Sequence, residues 1–213
     1  MLNVLVPVVG IVAGMAQTTH ADLQSTDLHL KFGHGNMCFV ASPNQNARPK
    51  GTVIDTIVLH HTAGPSLDGT VKWFQMKESQ VSAHYTIGKD GKIVQHVSNY
   101  YRAWHAGKSI DVEGRSGVND FSIGIEMVNI GDGKDPWTKE QVEAVHRLLR
   151  VLMTYRHKNI KYITSHEYIA EPKGRKNDPL GFPWIELKDL EKDFGVKIVT
   201  EREKDPKKVV PGS

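Results

Sequence analysis

Cysteine is almost missing from this chain: Cys38 is the only one among 213 residues. No disulfide can close within the chain, and a cysteine-rich zinc site is excluded. Cys38 lies between Met37 and Phe39 and reads as a buried, inert thiol. A surplus of one charge is missing too. The 27 basic and 24 acidic side chains leave a net of only +3, without the concentrated basic face of a nucleic-acid binder. No nucleic-acid partner is expected. Long apolar runs are also missing. The segment MLNVLVPVVGIVAGMAQTTHAD has no lysine, arginine, aspartate or glutamate before Asp22, but its apolar part of about 15 residues falls short of the roughly 20 that a spanning helix needs. Residues 1–21 read instead as a secretory signal, with Gly14-Met15-Ala16 or Thr19-His20-Ala21 as the small-residue cleavage site. Its only positive charge is the amino terminus. The expectation is a periplasmic or secreted protein, with membrane association only through this segment.

What remains is ordinary for one globular domain. At 39% hydrophobic, residues 22–200 suffice for a sizeable core, and residues 201–213, with the mixed-charge REKDPKK, read as a loose solvated tail. SPNQNARP, from Ser42 to Pro49, is an irregular approach segment. A strand over Ile57–Leu59 then begins the core, and the spacing of Val71, Trp73 and Phe74 predicts a helix within 67–79. Tyr85 and Ile87 alternate with polar neighbours, a turn follows at Lys89-Asp90-Gly91, and Ile93–Val97 returns as a hairpin. SIGIEMVN, from Ser122, alternates Ile123, Ile125 and Met127 with Glu126 and Val128. The strongest helix spans Thr138–His157, opening on a Thr138/Gln141 capping box and carrying a stripe from Val142 to Met153. KYITSH is a short strand, and ELKDLEKDF a last short helix. The fold class is α/β, a single domain with a central mixed β-sheet flanked by helices.

The chemistry concentrates at strand ends. IVLHHTAG sets two adjacent histidines, His60 and His61, after an apolar run. Adjacent residues on a strand face opposite ways, so at most one looks into a site below the strand end. His166 ends another strand, and Asp178 follows in a glycine- and proline-rich loop. Two imidazoles and a carboxylate make an ordinary catalytic zinc set, leaving a fourth position open. Spacing alone is weak evidence for it, and the helical HExxH signature is absent.

The motifs IVLHHTAG, SAHYTIGKDGKIVQHV, AWHAG, SIGIEMVN, ITSHEYIA and GRKNDP follow one another in order. Together they resemble the zinc-dependent N-acetylmuramoyl-L-alanine amidases of the amidase_2 type, the superfamily that includes the peptidoglycan-recognition proteins. The resemblance runs from about Ser42 to Trp184. It implies one Zn2+ ion held by His60, His166 and Asp178, with His61 facing away and supporting the strand end or the following loop. Glu126 is implied as the general acid–base for the attacking water. Lys176, two residues before Asp178, suits stabilisation of the developing oxyanion. The substrate implied is peptidoglycan or muropeptides, cut between the lactyl group of N-acetylmuramic acid and L-alanine. His84, Tyr85, Trp104, His105 and Arg175 are candidates for the substrate groove, Arg175 as partner of a stem-peptide carboxylate. A peptidoglycan-binding module without hydrolysis and a zinc peptidase cutting within the stem peptide are the alternative readings.

Overall fold

The alternation in SIGIEM becomes the middle of a seven-stranded sheet. The computed structural model describes residues 37–200; the signal reading at 1–21 and the tail at 201–213 lie outside them. The strands are β1 (Met37–Phe39), β2 (Gln45–Ala47), β3 (Thr56–His61), β4 (Tyr85–Ile87), β5 (Ile93–Gln95), β6 (Tyr101–Ala103), β7 (Ser122–Met127), β8 (Tyr162–Ser165) and β9 (Lys197–Val199). The main sheet runs β1-β5-β4-β7-β3-β8-β9, and β2 pairs with β6 in a separate ribbon. Only the β4–β5 hairpin is antiparallel within the main sheet.

The two faces divide by parity. Ile57, Leu59, Ile123, Ile125, Met127 and Ile163 belong to the larger core. There they meet helix α2 (Lys139–Val151) through Ala144, Val145, Leu148 and Leu149, and helix α4 (Lys188–Phe194) through Leu190. On the other face Val58 joins a smaller cluster with Ala106, Val118, Phe121 and Ile169. Loops and the single-turn helix α3 (His166–Ile169) cover that side, which leaves room for polar side chains at the strand ends.

Helix α1 (Leu67–Gln75) follows the histidine strand. The Ser66 hydroxyl caps it by accepting from the Gly69 N–H at 3.1 Å. It ends four residues before the limit expected at Ser79, giving way to a 3-10 turn over Lys77–Ser79. Half of the predicted capping box of α2 forms: Thr138 Oγ1 accepts from the Gln141 N–H at 3.2 Å. The Gln141 side chain instead donates to the carbonyls of Ile87 and Val128, tying the helix to the ends of β4 and β7.

Two expectations need correction. Cys38 is exposed, not buried: β1 lies at the sheet edge, and its alternation sends Met37 inward and Cys38 outward. The approach segment is also less irregular than SPNQNARP implies. It contains β2, and its Arg48 donates to the carbonyls of Asn99, Asn119, Asp120 and Ser122. This arginine anchors the entry to β7.

Candidate metal centre and catalytic cleft

Sheet register brings the first groups together. Parallel pairing sets His60 beside Glu126. It also sets Leu59 beside Ser165, so His166 begins α3 one step beyond the β8 end. The three groups therefore stand side by side at the carboxyl ends of β7, β3 and β8. Such strand ends are where open α/β sheets bind ligands. Asp178 reaches the same place from the loop after α3, whose path is fixed by the Glu167 N–H donating to the Asp178 carbonyl at 2.9 Å.

His60 Nδ1 lies 3.0 Å from His166 Nδ1 and 3.1 Å from Asp178 Oδ2, and His166 Nδ1 lies 3.0 Å from the same oxygen. All three residues are buried. Four-coordinate zinc with ligands at roughly 2.0–2.1 Å has ligand–ligand edges of about 3.3 Å, close to this triangle. The chemistry of the donors agrees. His166 Nε2 faces the Ala106 carbonyl at 3.3 Å, an oxygen that only accepts, so the proton belongs on Nε2 and the Nδ1 lone pair points inward. Burial, followed by repulsion from His166, lowers the His60 pKa to about 4. Inward lone pairs beside a carboxylate repel one another unless a cation lies between them, and these residues fit a metal ion.

Charge is unevenly distributed around the triangle. Burial of Asp178 favours its neutral acid, but the His166 and His60 imidazoles in contact with it outweigh this and hold the carboxyl well below its usual range. Glu126 goes the other way. Burial, then the nearby Asp178 charge, push it up to about 8, with Lys176 opposing. Its Oε2 is closed off from solvent and has no protein partner, whereas the residue as a whole borders a cleft of about 450 Å³.

Lys176, His166 and Asp178 border the same cleft, as do Trp104 and His105. Trp104 is held there by its indole N–H, which donates to Asn46 Oδ1 at 2.7 Å. His105 stands behind the metal triangle, its Nδ1 3.0 Å from His60 Nε2. The remaining groove candidates are placed elsewhere. Tyr85 pairs with Ile125 in register and is fully buried in the larger core, its hydroxyl donating to Asn99 Oδ1 at 3.0 Å. His84 is equally buried, its Nδ1 accepting from the Gly124 N–H and its Nε2 contacting the Tyr101 carbonyl. Neither can touch a substrate in the cleft. Arg175 donates to the carbonyls of Ala106, Lys108 and Glu171 through Nε and Nη2, so its guanidinium fastens two loops, and it is not among the residues that line the cleft.

His61 faces away from the triangle and accepts from the Leu180 N–H at 3.2 Å, holding the loop that delivers Asp178. Its ring lies against Gly131, where φ is +79° and an added Cβ would come within 2.3 Å of His61 Nε2. Gly131→Ala is therefore expected to cost about 1–3 kcal/mol, read as a lower midpoint in urea unfolding, and to weaken metal binding with it.

Sequence reasoning missed Trp73, an exposed aromatic of α1 that lines the cleft. The spacing of Val71, Trp73 and Phe74 predicts a helix without marking which of them borders a cleft. It also missed Asn46 and Arg48, which no spacing marks, and Ser122, which shares its strand face with Glu126.

Residues 50–181 match the Amidase_2 family, described as N-acetylmuramoyl-L-alanine amidase. Among curated proteins, the 1,6-anhydro-N-acetylmuramyl-L-alanine amidase AmpD of Escherichia coli K12 is 34% identical over 171 residues, covering 71% of this chain and 90% of AmpD. A crystal structure of a selenomethionine AmpD derivative superposes with a TM-score of 0.62 at 31% identity, covering 73% of this chain and 94% of that one. The amidase AmiD of E. coli, in complex with the substrate anhydro-N-acetylmuramic acid-L-Ala-D-gamma-Glu-L-Lys, superposes with a TM-score of 0.55 at 29% identity, over 71% of this chain and 62% of AmiD.

Proposed function

We propose, from the premise that this chain belongs to the Amidase_2 family and is an N-acetylmuramoyl-L-alanine amidase, that it works with one zinc ion held by His60, His166 and Asp178. The observation carrying this reading is the triangle of donor atoms 3.0–3.1 Å apart. The bond cleaved joins the lactyl group of N-acetylmuramic acid to L-alanine of the stem peptide. When bound, zinc supplies Lewis acidity, making water more acidic and polarising the scissile carbonyl.

The protein's own groups do the rest. Glu126, beside His60 in register, takes the proton of the attacking water. It then returns that proton to the alanine nitrogen as the C–N bond breaks, since an amine leaves far more easily than its anion. Lys176, which lines the same cleft, offers its ammonium to the carbonyl oxygen as that oxygen gains charge. Lys176→Met is expected to lower kcat by about 10²–10³-fold with metal content unchanged, measured by steady-state hydrolysis alongside elemental analysis.

The substrates proposed are muropeptide fragments of peptidoglycan; the complex of AmiD with such a fragment supports this choice. The site of action proposed is the periplasm or the exterior, supported by the uncharged apolar start of the sequence. Elemental analysis tests the metal reading: one zinc per wild-type chain is expected, and no more in wild type than in Asp178→Ala contradicts it. Fractionation of cells expressing the full chain or a version lacking residues 2–21 tests the location. Retention of both inside the cytoplasm contradicts export.

A further inference from the structure

Three buried groups stand in line behind His60. The Val118 carbonyl lies 2.6 Å from Ser122 Oγ, which lies 3.0 Å from His105 Nε2, and His105 Nδ1 lies 3.0 Å from His60 Nε2. Each member is buried. The first link has only one chemical sense: a carbonyl accepts and never donates. The single Ser122 proton therefore goes to Val118, and the remaining link to His105 must be filled by a proton on Nε2. That leaves His105 Nδ1 as an acceptor, which in turn takes the proton on His60 Nε2. The Nδ1 lone pair of His60 is what remains, and it points at His166 and Asp178.

We infer that Ser122 and His105 are positioning residues that fix His60 in the tautomer able to bind metal through Nδ1, with the Val118 carbonyl setting the direction of the chain. The inference rests on the metal reading above. It also explains three features that the reaction itself leaves unused. Asn119 Oδ1 accepts from the backbone N–H groups of both His105 and Ala106, clamping the segment that carries the ring. Gly124, on the strand face shared with Ser122 and Glu126, lies so near that an added Cβ would come within 2.4 Å of the His105 ring. Arg48 holds the Ser122 carbonyl at 2.8 Å, so the serine that begins the relay sits on a pinned backbone. Metal-bound histidines usually direct their second nitrogen to a carboxylate, a carbonyl or water. Here an imidazole and a hydroxyl carry the same instruction from a main-chain carbonyl three links away.

The test joins two measurements. Long-range 1H–15N correlation on the zinc-loaded wild-type protein reads the tautomer of His105 directly: its proton is expected on Nε2. A proton on Nδ1 of His105 overturns the relay without any variant being made. Competition with a chromophoric chelator then gives zinc affinity for wild type, Ser122→Ala, Ser122→Thr and His166→Ala. Ser122→Ala is expected to bind zinc about 10–100-fold more weakly, with Ser122→Thr, which keeps the hydroxyl, restoring most of it. Wild-type affinity in Ser122→Ala, with binding lost in His166→Ala, overturns the relay while the metal site stands. Equal affinity in wild type and His166→Ala overturns the metal site itself.

Discussion

Glu126→Gln is expected to lower kcat by about 10²–10⁴-fold while the protein keeps its full complement of zinc. Glutamine preserves the size of the side chain and its place beside His60 on β7, but it can neither take the proton of water nor return one to the leaving amine. The metal donors are other atoms, on His60, His166 and Asp178, so binding and chemistry separate in this variant. A second effect has the opposite sign. The carboxyl is pushed from 4.5 up to about 8 in the folded chain, mainly by burial, so the metal-free fold holds this proton more tightly than the unfolded chain does. That stabilisation is complete below about pH 4.5 and is lost as pH rises through about 8. The glutamine variant, uncharged at every pH, escapes the loss. Without metal, it is expected to match wild type near pH 4.5 and to exceed it by on the order of a few kcal/mol above pH 8. Urea unfolding in the presence of a chelator reads this directly; equal stabilities at both pH values would contradict the buried, proton-holding Glu126.

His166→Ala is expected to abolish measurable hydrolysis, a loss of at least about 10³-fold, because a ligand and the Lewis acid go together. It should also make the protein's melting temperature indifferent to zinc. Wild type gains stability from a ligand that binds only the folded chain, about 4 kcal/mol at a free concentration a thousand times Kd. The triangle exists only when β3, α3 and the loop to Asp178 are assembled, so this linkage is the direct sign that the three donors act as one site. Calorimetry of both proteins with and without zinc checks it, and a wild-type melting temperature insensitive to chelation would contradict it.

Much of the fold was legible where a single element carries its own signal. The stripe from Val142 to Met153 needs no partner to be seen, and it forms α2 and the wide helical turn after it at Leu152–Arg156. The hairpin at 85–95 is local in the same way. The three-residue strands β1, β2 and β9 carry no such pattern; each exists because a distant neighbour offers an edge. Cys38 shows the cost: without the edge position of β1, nothing distinguishes its outward side from its inward one. Among the site residues, strand-end histidines and an acid on a neighbouring strand were visible as types, but only the His60–Glu126 and Leu59–Ser165 register sets them level. Tyr85 was misplaced although its alternation with Ile87 already pointed to the core. Ser122 looked like an ordinary strand serine, because its meaning depends on a ring delivered from 17 residues away.

The measurement that tests the central claim most directly is mass spectrometry of products from defined muropeptides, with 1,6-anhydro and reducing ends side by side. Zinc-loaded wild type and His166→Ala would be compared. Free stem peptide beginning at L-alanine, released by wild type and absent with His166→Ala, is the result this account predicts. Intact muropeptides at full zinc occupancy, or cuts within the stem peptide, would contradict it.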